Sequence, residues 1–197
     1  MTADTPARAN RREQILDAFA TMLETRPGSR ITTSALAAHV GVSEAALYRH
    51  FPSKARMIET LIAFAEETVF SRVGQIAESE NGAEGQCRAV LALMLTFCER
   101  NPGLARLFAG DALQGETGRL HQRIRQFYDR VETQLRQFIR AEYAARPTPP
   151  PLSAAAAANL LLASAEGRIN QFVRSEFKSR PTTDWLEQWQ TLAKAVF

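Results

Sequence analysis

Apolar residues recur at helical spacing along almost the whole chain. In residues 10–24, Ile15, Phe19 and Met22 lie three or four positions apart, so they share one face of an α-helix. The same spacing continues through a second long segment, residues 120–139. No segment alternates apolar and polar residues in the way that a half-exposed strand does. The pattern therefore predicts an all-α protein with about nine helices.

Capping and turn-forming residues divide this pattern into separate helices. Thr32 or Thr33 can cap a short helix, and Gly41 can close it. Ser43 can cap the helix that follows, and Asp184 can cap the last helix of the chain. Breaks rich in proline, glycine or asparagine lie at residues 26–29, 80–82, 101–103 and 146–151. The predicted helices cover residues 10–24, 33–40, 44–50, 54–78, 84–99, 104–108, 120–139, 153–178 and 185–192.

The helix predicted at residues 84–99 is apolar on nearly all sides, which is typical of a helix buried at the centre of a domain. It predicts a filled core, or at most a narrow apolar pocket. Both cysteines, Cys87 and Cys98, fall in this helix, where they are about 16 Å apart. A disulfide needs Cα atoms within about 7 Å, so the two thiols cannot pair within one chain.

The excess of positive charge lies in one part of the chain. Residues 1–56 hold eight lysines and arginines against five acidic residues, whereas the remainder holds 16 of each. The net charge of +3 therefore belongs to the N-terminal quarter. Such an uneven distribution indicates a module that binds a polyanion, joined to a domain with another role.

Residues 31–51 have the pattern of a helix-turn-helix. Two short helices meet at Gly41, and Leu36, Leu47 and Phe51 are spaced so that each helix buries one side against the other. The opposite side of the second helix carries small or polar residues, as a helix that enters the major groove requires. A generic helical hairpin with a solvated face is the alternative interpretation. The residues predicted to contact DNA are Arg11, Arg30, Thr32, Thr33, Ser43, Glu44, Ala45, Tyr48, His50 and Lys54.

Three motifs in this region carry a resemblance to a known family. They are Thr-Thr-x-x-Leu-Ala from Thr32, Gly-Val-Ser from Gly41 and Leu-Tyr-x-His-Phe-x-x-Lys from Leu47, and they resemble the tetracycline-repressor family. The resemblance implies a DNA-binding domain at residues 1–56 and a helical dimerisation and partner-binding domain at residues 57–197. It also implies dimerisation through the last two long helices and a palindromic DNA site, with the two heads about 35 Å apart.

Longer segments resemble one group within that family, the nucleoid occlusion factors of proteobacteria. These segments begin at Asn10 (Asn-Arg-Arg-Glu-x-Ile-Leu), Val42 (Val-Ser-Glu-Ala-Ala-Leu-Tyr-Arg-His-Phe), Glu99 (Glu-Arg-Asn-Pro-Gly-Leu) and Phe172 (Phe-Val-Arg-Ser-Glu-Phe-Lys). The resemblance implies a homodimer, with one or two dimers per site, that binds the tubulin-like protein FtsZ when bound to DNA and opposes its assembly over the nucleoid. The positions that match those implicated in FtsZ contact are Phe64, Arg72, Leu93, Arg100 and Asn101.

Helical-wheel geometry gives partial independent support for such a partner surface. The apolar stripe of the helix at residues 54–78 is centred near Ile58, Ala65 and Ile76. Phe64 and Phe70 fall roughly 110–130° from that centre, so each is either exposed or covered by a neighbouring helix. Arg72 is expected on the apolar side, where a charge needs a partner or a wet groove.

Other functions make different demands on the sequence. A ligand-responsive repressor, the main alternative, needs an internal cavity with a few polar groups. An enzyme needs a nucleophile with a nearby base, a phosphate-binding loop or metal-ligand spacing, and none of these patterns is present in the sequence. We therefore expect neither catalysis nor a cofactor nor a metal. The absence of a long apolar run or a secretion signal predicts a cytoplasmic, nucleoid-associated protein.

Overall fold

The structure, a computed structural model, describes residues 5–26, 28–80 and 82–197, with side chains from residue 11 onward. Residues 1–4, and residues 27 and 81 in two of the predicted breaks, lie outside the described part. Within that part there are nine α-helices and no strand, so the predicted all-α class is confirmed. The helices are α1 Thr5–Thr25, α2 Thr33–Val40, α3 Glu44–His50, α4 Lys54–Ser79, α5 Ala83–Arg100, α6 Pro102–Phe108, α7 Gly118–Ala144, α8 Ala154–Arg174 and α9 Trp185–Val196. None of these helices is long and apolar enough to cross a membrane.

Helices α1, α2 and α3 form the head, which contains the predicted helix-turn-helix, and its turns follow the predicted caps. The Thr32 hydroxyl oxygen accepts a hydrogen bond from Ala35 N–H at 3.1 Å, and Ser43 does the same for Ala46 at 3.2 Å. Gly41 takes the left-handed φ of 74° that closes α2 and starts the turn into α3. The residues buried together beneath these helices are Ile15, Phe19, Leu36, Leu47 and Phe51.

Helix α4 connects the head to the body without interruption. Ser53 caps its first turn, where the hydroxyl accepts a bond from Arg56 N–H. The helix then runs for 26 residues and packs against α5 and α7 of the body. The predicted domain boundary after residue 56 falls inside the first turn of α4, and its exact position stays a prediction.

Helix α5 lies at the centre of the body, as its apolar composition predicts. Its side chains at Val90, Leu91 and Leu95 are fully buried, and the helix packs against α4, α6, α7 and α8. Cys87 and Cys98 are both buried and free, in agreement with the prediction that they do not pair. Burial raises the pKa of each thiol to about 12, which keeps both thiols protonated and poorly reactive at neutral pH.

The predicted end of α8 and the predicted cap of α9 were both wrong. Helix α8 ends at Arg174, four residues before the predicted end at residue 178. Beyond it, Glu176 and Phe177 adopt φ values of 52° and 66°, and Phe177 N–H bonds to Phe172 O at 2.8 Å, which turns the chain back onto the body. Asp184 does precede α9, but among the described residues its side chain makes no capping bond, because its own φ is 55°.

The exposed side of α8 has the form expected of a dimer contact. Ala156, Leu160, Ala163 and Gly167 follow one another at intervals of three or four residues and are open to solvent. Leu186 at the start of α9 is 60 % exposed. Within the alanine run at residues 154–158, however, Ala157 and Ala158 are fully buried inside the protomer. Only part of this run can therefore face a second copy.

Candidate nucleic-acid interface and partner groove

Helix α3 presents its small and polar residues to solvent, as a helix that reads a DNA groove must. Ser43, Glu44 and Ala45 are exposed in its first turn, and Tyr48 is 44 % exposed one turn later. The small side chain of Ala45 leaves the backbone free to approach the edges of bases. Arg49, which the sequence pattern did not single out, is also exposed in the last turn of α3.

A chain of hydrogen bonds fixes the orientation of these side chains across the turn. The Tyr48 hydroxyl donates to Thr33 Oγ1 at 3.4 Å, and the Thr33 hydroxyl donates to Glu44 Oε2 at 3.0 Å. Helix α2 therefore holds two side chains of α3 in place before DNA arrives. Because these orientations are already set, less side-chain entropy is lost on binding.

The other residues predicted to contact DNA are less uniformly placed. Arg11 and Thr32 are exposed on the head, whereas His50 is half-buried at the end of α3. Lys54 does not project freely into the groove, because its Nζ lies 2.7 Å from Glu116 Oε1 and its side chain is only 17 % exposed. Arg30 is exposed. Its guanidinium lies beside Gly115, the neighbour of Glu116 in the loop between α6 and α7.

Tyr48→Ala tests the assignment of this face. We expect it to weaken binding to a palindromic duplex by about 10- to 100-fold, because the groove contact and the bond to Thr33 are both lost. Fluorescence anisotropy at one fixed salt concentration measures the affinity, and light scattering checks that the dimer persists. Tyr48→Phe is the matched control, since it keeps the ring and removes only the hydroxyl. Unchanged affinity in Tyr48→Ala would reject the groove assignment.

Three of the five residues predicted to contact a partner protein line one groove. Phe64 from α4, and Arg100 and Asn101 at the end of α5, border an open groove of about 670 Å³ between α1, α4 and α6. Phe64 is 54 % exposed, so the wheel prediction that it lies off the buried stripe is confirmed. Phe70 is covered instead, with its ring 5.3 Å from that of Phe127.

Leu93 and Arg72 lie further along the same pair of helices. Arg72 lies about two turns after Phe64 on α4, and Leu93 about two turns before Arg100 on α5, so both are outside the lining of the groove. Leu93 is half-buried. The expectation that Arg72 faces the apolar side was wrong: it is exposed, because the buried line of α4 narrows to Val69 and Val73 at that level.

The third wall of the groove belongs to the DNA-binding head. Helix α1 contributes three acidic residues to the groove, Glu13, Asp17 and Glu24, beside the apolar Leu16. Arg100 is the cation on the opposite side. A partner segment that fits this groove therefore has apolar residues for Phe64 and Leu16, basic residues for the α1 carboxylates and an acidic residue for Arg100.

Helix α1 is held against the body by one buried arginine that the sequence pattern did not reveal. Arg106 in α6 is 1 % exposed, and its guanidinium donates to Leu23 O at 2.9 Å, to Arg26 O at 2.8 Å and to Ser29 O at 3.5 Å. It also pairs with Asp111. The first two acceptors are carbonyls at the C-terminal end of α1, which have no helical partner of their own and attract a cation.

A second ion cluster joins the start of α4 to α7. Glu59 pairs with Arg56 one turn before it and with Arg119 of α7, and Arg123 of α7 pairs with Glu66 at 2.6 Å. The hydrogen bond from Arg56 is the main reason that the pKa of Glu59 lies below its usual value. The cluster fixes the angle between α4, which carries the head, and the body.

Comparison with known proteins identifies the family. Residues 15–61 match the model of bacterial regulatory proteins of the tetR family, and residues 85–196 match an SlmA-like model described as a tetracyclin repressor-like C-terminal domain. The nucleoid occlusion factor SlmA of Shewanella woodyi is 57 % identical over 180 residues, 91 % of each chain. SlmA of Marinomonas sp. (strain MWYL1) is 52 % identical over 185 residues, 94 % of each chain. The chain belongs to the SlmA group of the tetR family. As a tetR-family member, it is a DNA-binding regulator that forms dimers.

Solved structures of more distant tetR-family regulators share this fold. MbdR from Azoarcus sp. CIB superposes with a TM-score of 0.78 at 16 % identity, covering 95 % of this chain and 99 % of that one. FadR from Bacillus subtilis, in complex with stearoyl-CoA, gives a TM-score of 0.72 at 15 % identity, covering 94 % and 99 %. At these identities the likeness concerns the fold alone.

The interior of this SlmA-group chain differs from what a ligand-responsive regulator needs. Side chains that include Met94, Phe97, Phe108, Phe127 and Tyr128 leave an enclosed space of about 10 Å³ at the centre of the body. The rings of Phe108 and Phe127 lie 4.6 Å apart there. A drug-sized ligand needs roughly 300–1,000 Å³, so this space is too small to hold one, and the expected filled core is present there.

Proposed function

We propose that this protein is a nucleoid occlusion factor that binds palindromic DNA as a dimer and, while bound, binds FtsZ and opposes its assembly over the nucleoid. Its place is then on the chromosome, in the cytoplasm. The observation that carries the proposal is the groove shared by Phe64, Arg100 and Asn101. Phe64 comes from a different helix than the adjacent Arg100 and Asn101, yet all three are positions that the resemblance to nucleoid occlusion factors assigns to partner contact.

The composition of the groove supports a protein partner rather than a small molecule. It is open along one side, and an aromatic ring that is 54 % exposed stands at its edge. Exposed aromatic and arginine side chains are the residues that most often dominate protein–protein binding energy.

The position of α1 supports a link between DNA binding and partner binding. Helix α1 belongs to the head, and it also carries the acidic wall of the groove. Any change in head orientation on DNA therefore moves one wall of the groove relative to the other two. A partner with higher affinity for the DNA-bound orientation will, by linkage, also strengthen DNA binding.

Arg100→Asp tests the proposal directly. We expect this variant to bind palindromic DNA like wild type but to lose co-sedimentation with FtsZ polymers, because the cation that lines the groove becomes a fourth carboxylate there. Arg88→Asp is the matched control, since Arg88 is exposed on the same helix and lies outside the groove. Phe64→Ala should also lose most of the association. If Arg100→Asp pellets with FtsZ as wild type does, the partner surface is misplaced.

A further inference from the structure

The loop between α6 and α7 places an acidic side chain on the DNA-binding head. Glu116 Oε1 lies 2.7 Å from Nζ of Lys54, the first residue of α4. The two side chains are only 10 % and 17 % exposed. Because water is largely excluded, their attraction is screened less than that of an ordinary surface pair.

The same loop is fixed at two other points. Asp111 at its start pairs with the buried Arg106, which holds the end of α1. Gly115, at a φ of 76°, lies within ordinary contact distance of the Arg30 guanidinium, and Glu116 N–H bonds to Leu113 O at 3.0 Å. The carboxylate of Glu116 is therefore presented to the head by a loop that is anchored at Asp111 and closed by a backbone turn.

The two cations beside this loop are both among the residues that the sequence predicts to contact DNA. Arg30 precedes α2, and Lys54 opens α4 directly after the recognition helix α3. A cleft of about 290 Å³, lined by Arg30, Lys54 and Gln114 among others, lies between the head and the loop. The cleft gives the Lys54 side chain room to leave Glu116 without a backbone rearrangement.

We propose that Glu116 competes with a DNA phosphate for Lys54 and is thereby a positioning residue that sets the affinity and the salt dependence of DNA binding. In the free protein, Glu116 holds the ammonium group of Lys54. On DNA, Lys54 contacts a phosphate, and the Glu116 carboxylate is left to take up a cation from solution. The inference goes beyond the proposed role in cell division, since it concerns the DNA-bound equilibrium alone.

The competition has a thermodynamic signature. Each phosphate that a lysine neutralises releases condensed counterions and adds about −0.9 to the slope of log affinity against log salt. A cation taken up by Glu116 in the same step offsets up to about one unit of that slope. Removing the carboxylate should therefore make DNA binding both tighter and more sensitive to salt.

The experiment measures affinity over a series of KCl concentrations by fluorescence anisotropy. The probe is a palindromic duplex selected from random sequence with the wild-type protein. We expect Glu116→Gln to bind about 3- to 10-fold more tightly at low salt and to show a slope steeper by up to about one unit. Lys54→Ala should bind more weakly with a shallower slope. In the double variant Lys54→Ala/Glu116→Gln, the gain from Glu116→Gln should vanish.

A matched control separates the competition from a general loss of negative charge. Glu67→Gln removes one exposed carboxylate on α4 without touching Lys54. Thermal melting of every variant confirms that the fold is retained, and Glu116→Asp, one methylene shorter, should give a smaller change in the same direction. The proposal is overturned if Glu116→Gln gains no more affinity than Glu67→Gln, if its gain persists without Lys54, or if Lys54→Ala leaves affinity and slope unchanged.

Discussion

Arg106→Met is expected to lower the free energy of unfolding by about 3–5 kcal/mol, the usual cost of removing one partner from a buried ionic network. The guanidinium satisfies carbonyl oxygens of Leu23 and Arg26 at 2.9 and 2.8 Å and pairs with Asp111. Methionine fills similar space but donates nothing, so Leu23 O and Asp111 lose the guanidinium in a site where water is largely excluded. Arg26 O is left with its bond from Ser29 N–H. Urea unfolding followed by circular dichroism measures the change.

The expected loss is specific to the junction that Arg106 holds. Arg125→Met is the control, because Arg125 is exposed on α7 and its replacement should change stability by no more than about 0.5 kcal/mol. Arg106→Lys should be intermediate, since an ammonium group keeps the charge but cannot reach several acceptors in a fork. An unfolding midpoint for Arg106→Met equal to that of wild type would show that the network contributes nothing net.

Gly103→Ala is expected to separate α1 from α6 and to cost about 1–3 kcal/mol of stability, the range for overpacking a filled site. A Cβ at residue 103 would lie 2.3 Å from the carbonyl oxygen of Ala20. The clash is with the backbone of α1, so a side-chain rotation cannot relieve it. Because α1 also forms a wall of the partner groove, the variant should lose FtsZ association as well as stability.

Two controls make the Gly103 result specific. Gly74 lies exposed in the middle of α4 with nothing within 4 Å of an added Cβ, so Gly74→Ala should stabilise the protein by up to about 1 kcal/mol through helix propensity. Ala20→Gly should not rescue Gly103→Ala, since it leaves the obstructing carbonyl in place. If Gly103→Ala is as stable as wild type, α1 and α6 pack less closely than the distance of 2.3 Å between the added Cβ and Ala20 O implies.

The parts of the fold set by neighbouring residues were predictable from the sequence. Thr32, Gly41 and Ser43 cap or close their helices as expected, because capping depends on residues within one turn. The exposed position of Phe64 also follows from the periodicity of a single helix. The same periodicity failed for Arg72, since the wheel does not show where a neighbouring helix stops covering α4.

Contacts between distant segments were not predictable in the same way. Lys54 and Glu116 are 62 positions apart, and no periodic pattern relates them, so the sequence predicts only a DNA-backbone contact for Lys54. Arg106 does leave a signal in the sequence: it is the one charged residue in the otherwise apolar segment Leu104–Phe108. A cation among residues of that kind indicates either a buried partner or an exposed face, and only tertiary structure distinguishes them.

The solid interior of the body determines what kinds of signal this regulator can receive. The space behind Phe108 and Phe127, about 10 Å³, is too small to hold a metabolite at the centre of the body. The fraction of DNA sites that the dimer occupies then depends on the concentration of the dimer, the ionic strength and the number of recognition sites on the chromosome. Such a protein conveys to the division machinery the position of chromosomal DNA rather than the concentration of a metabolite.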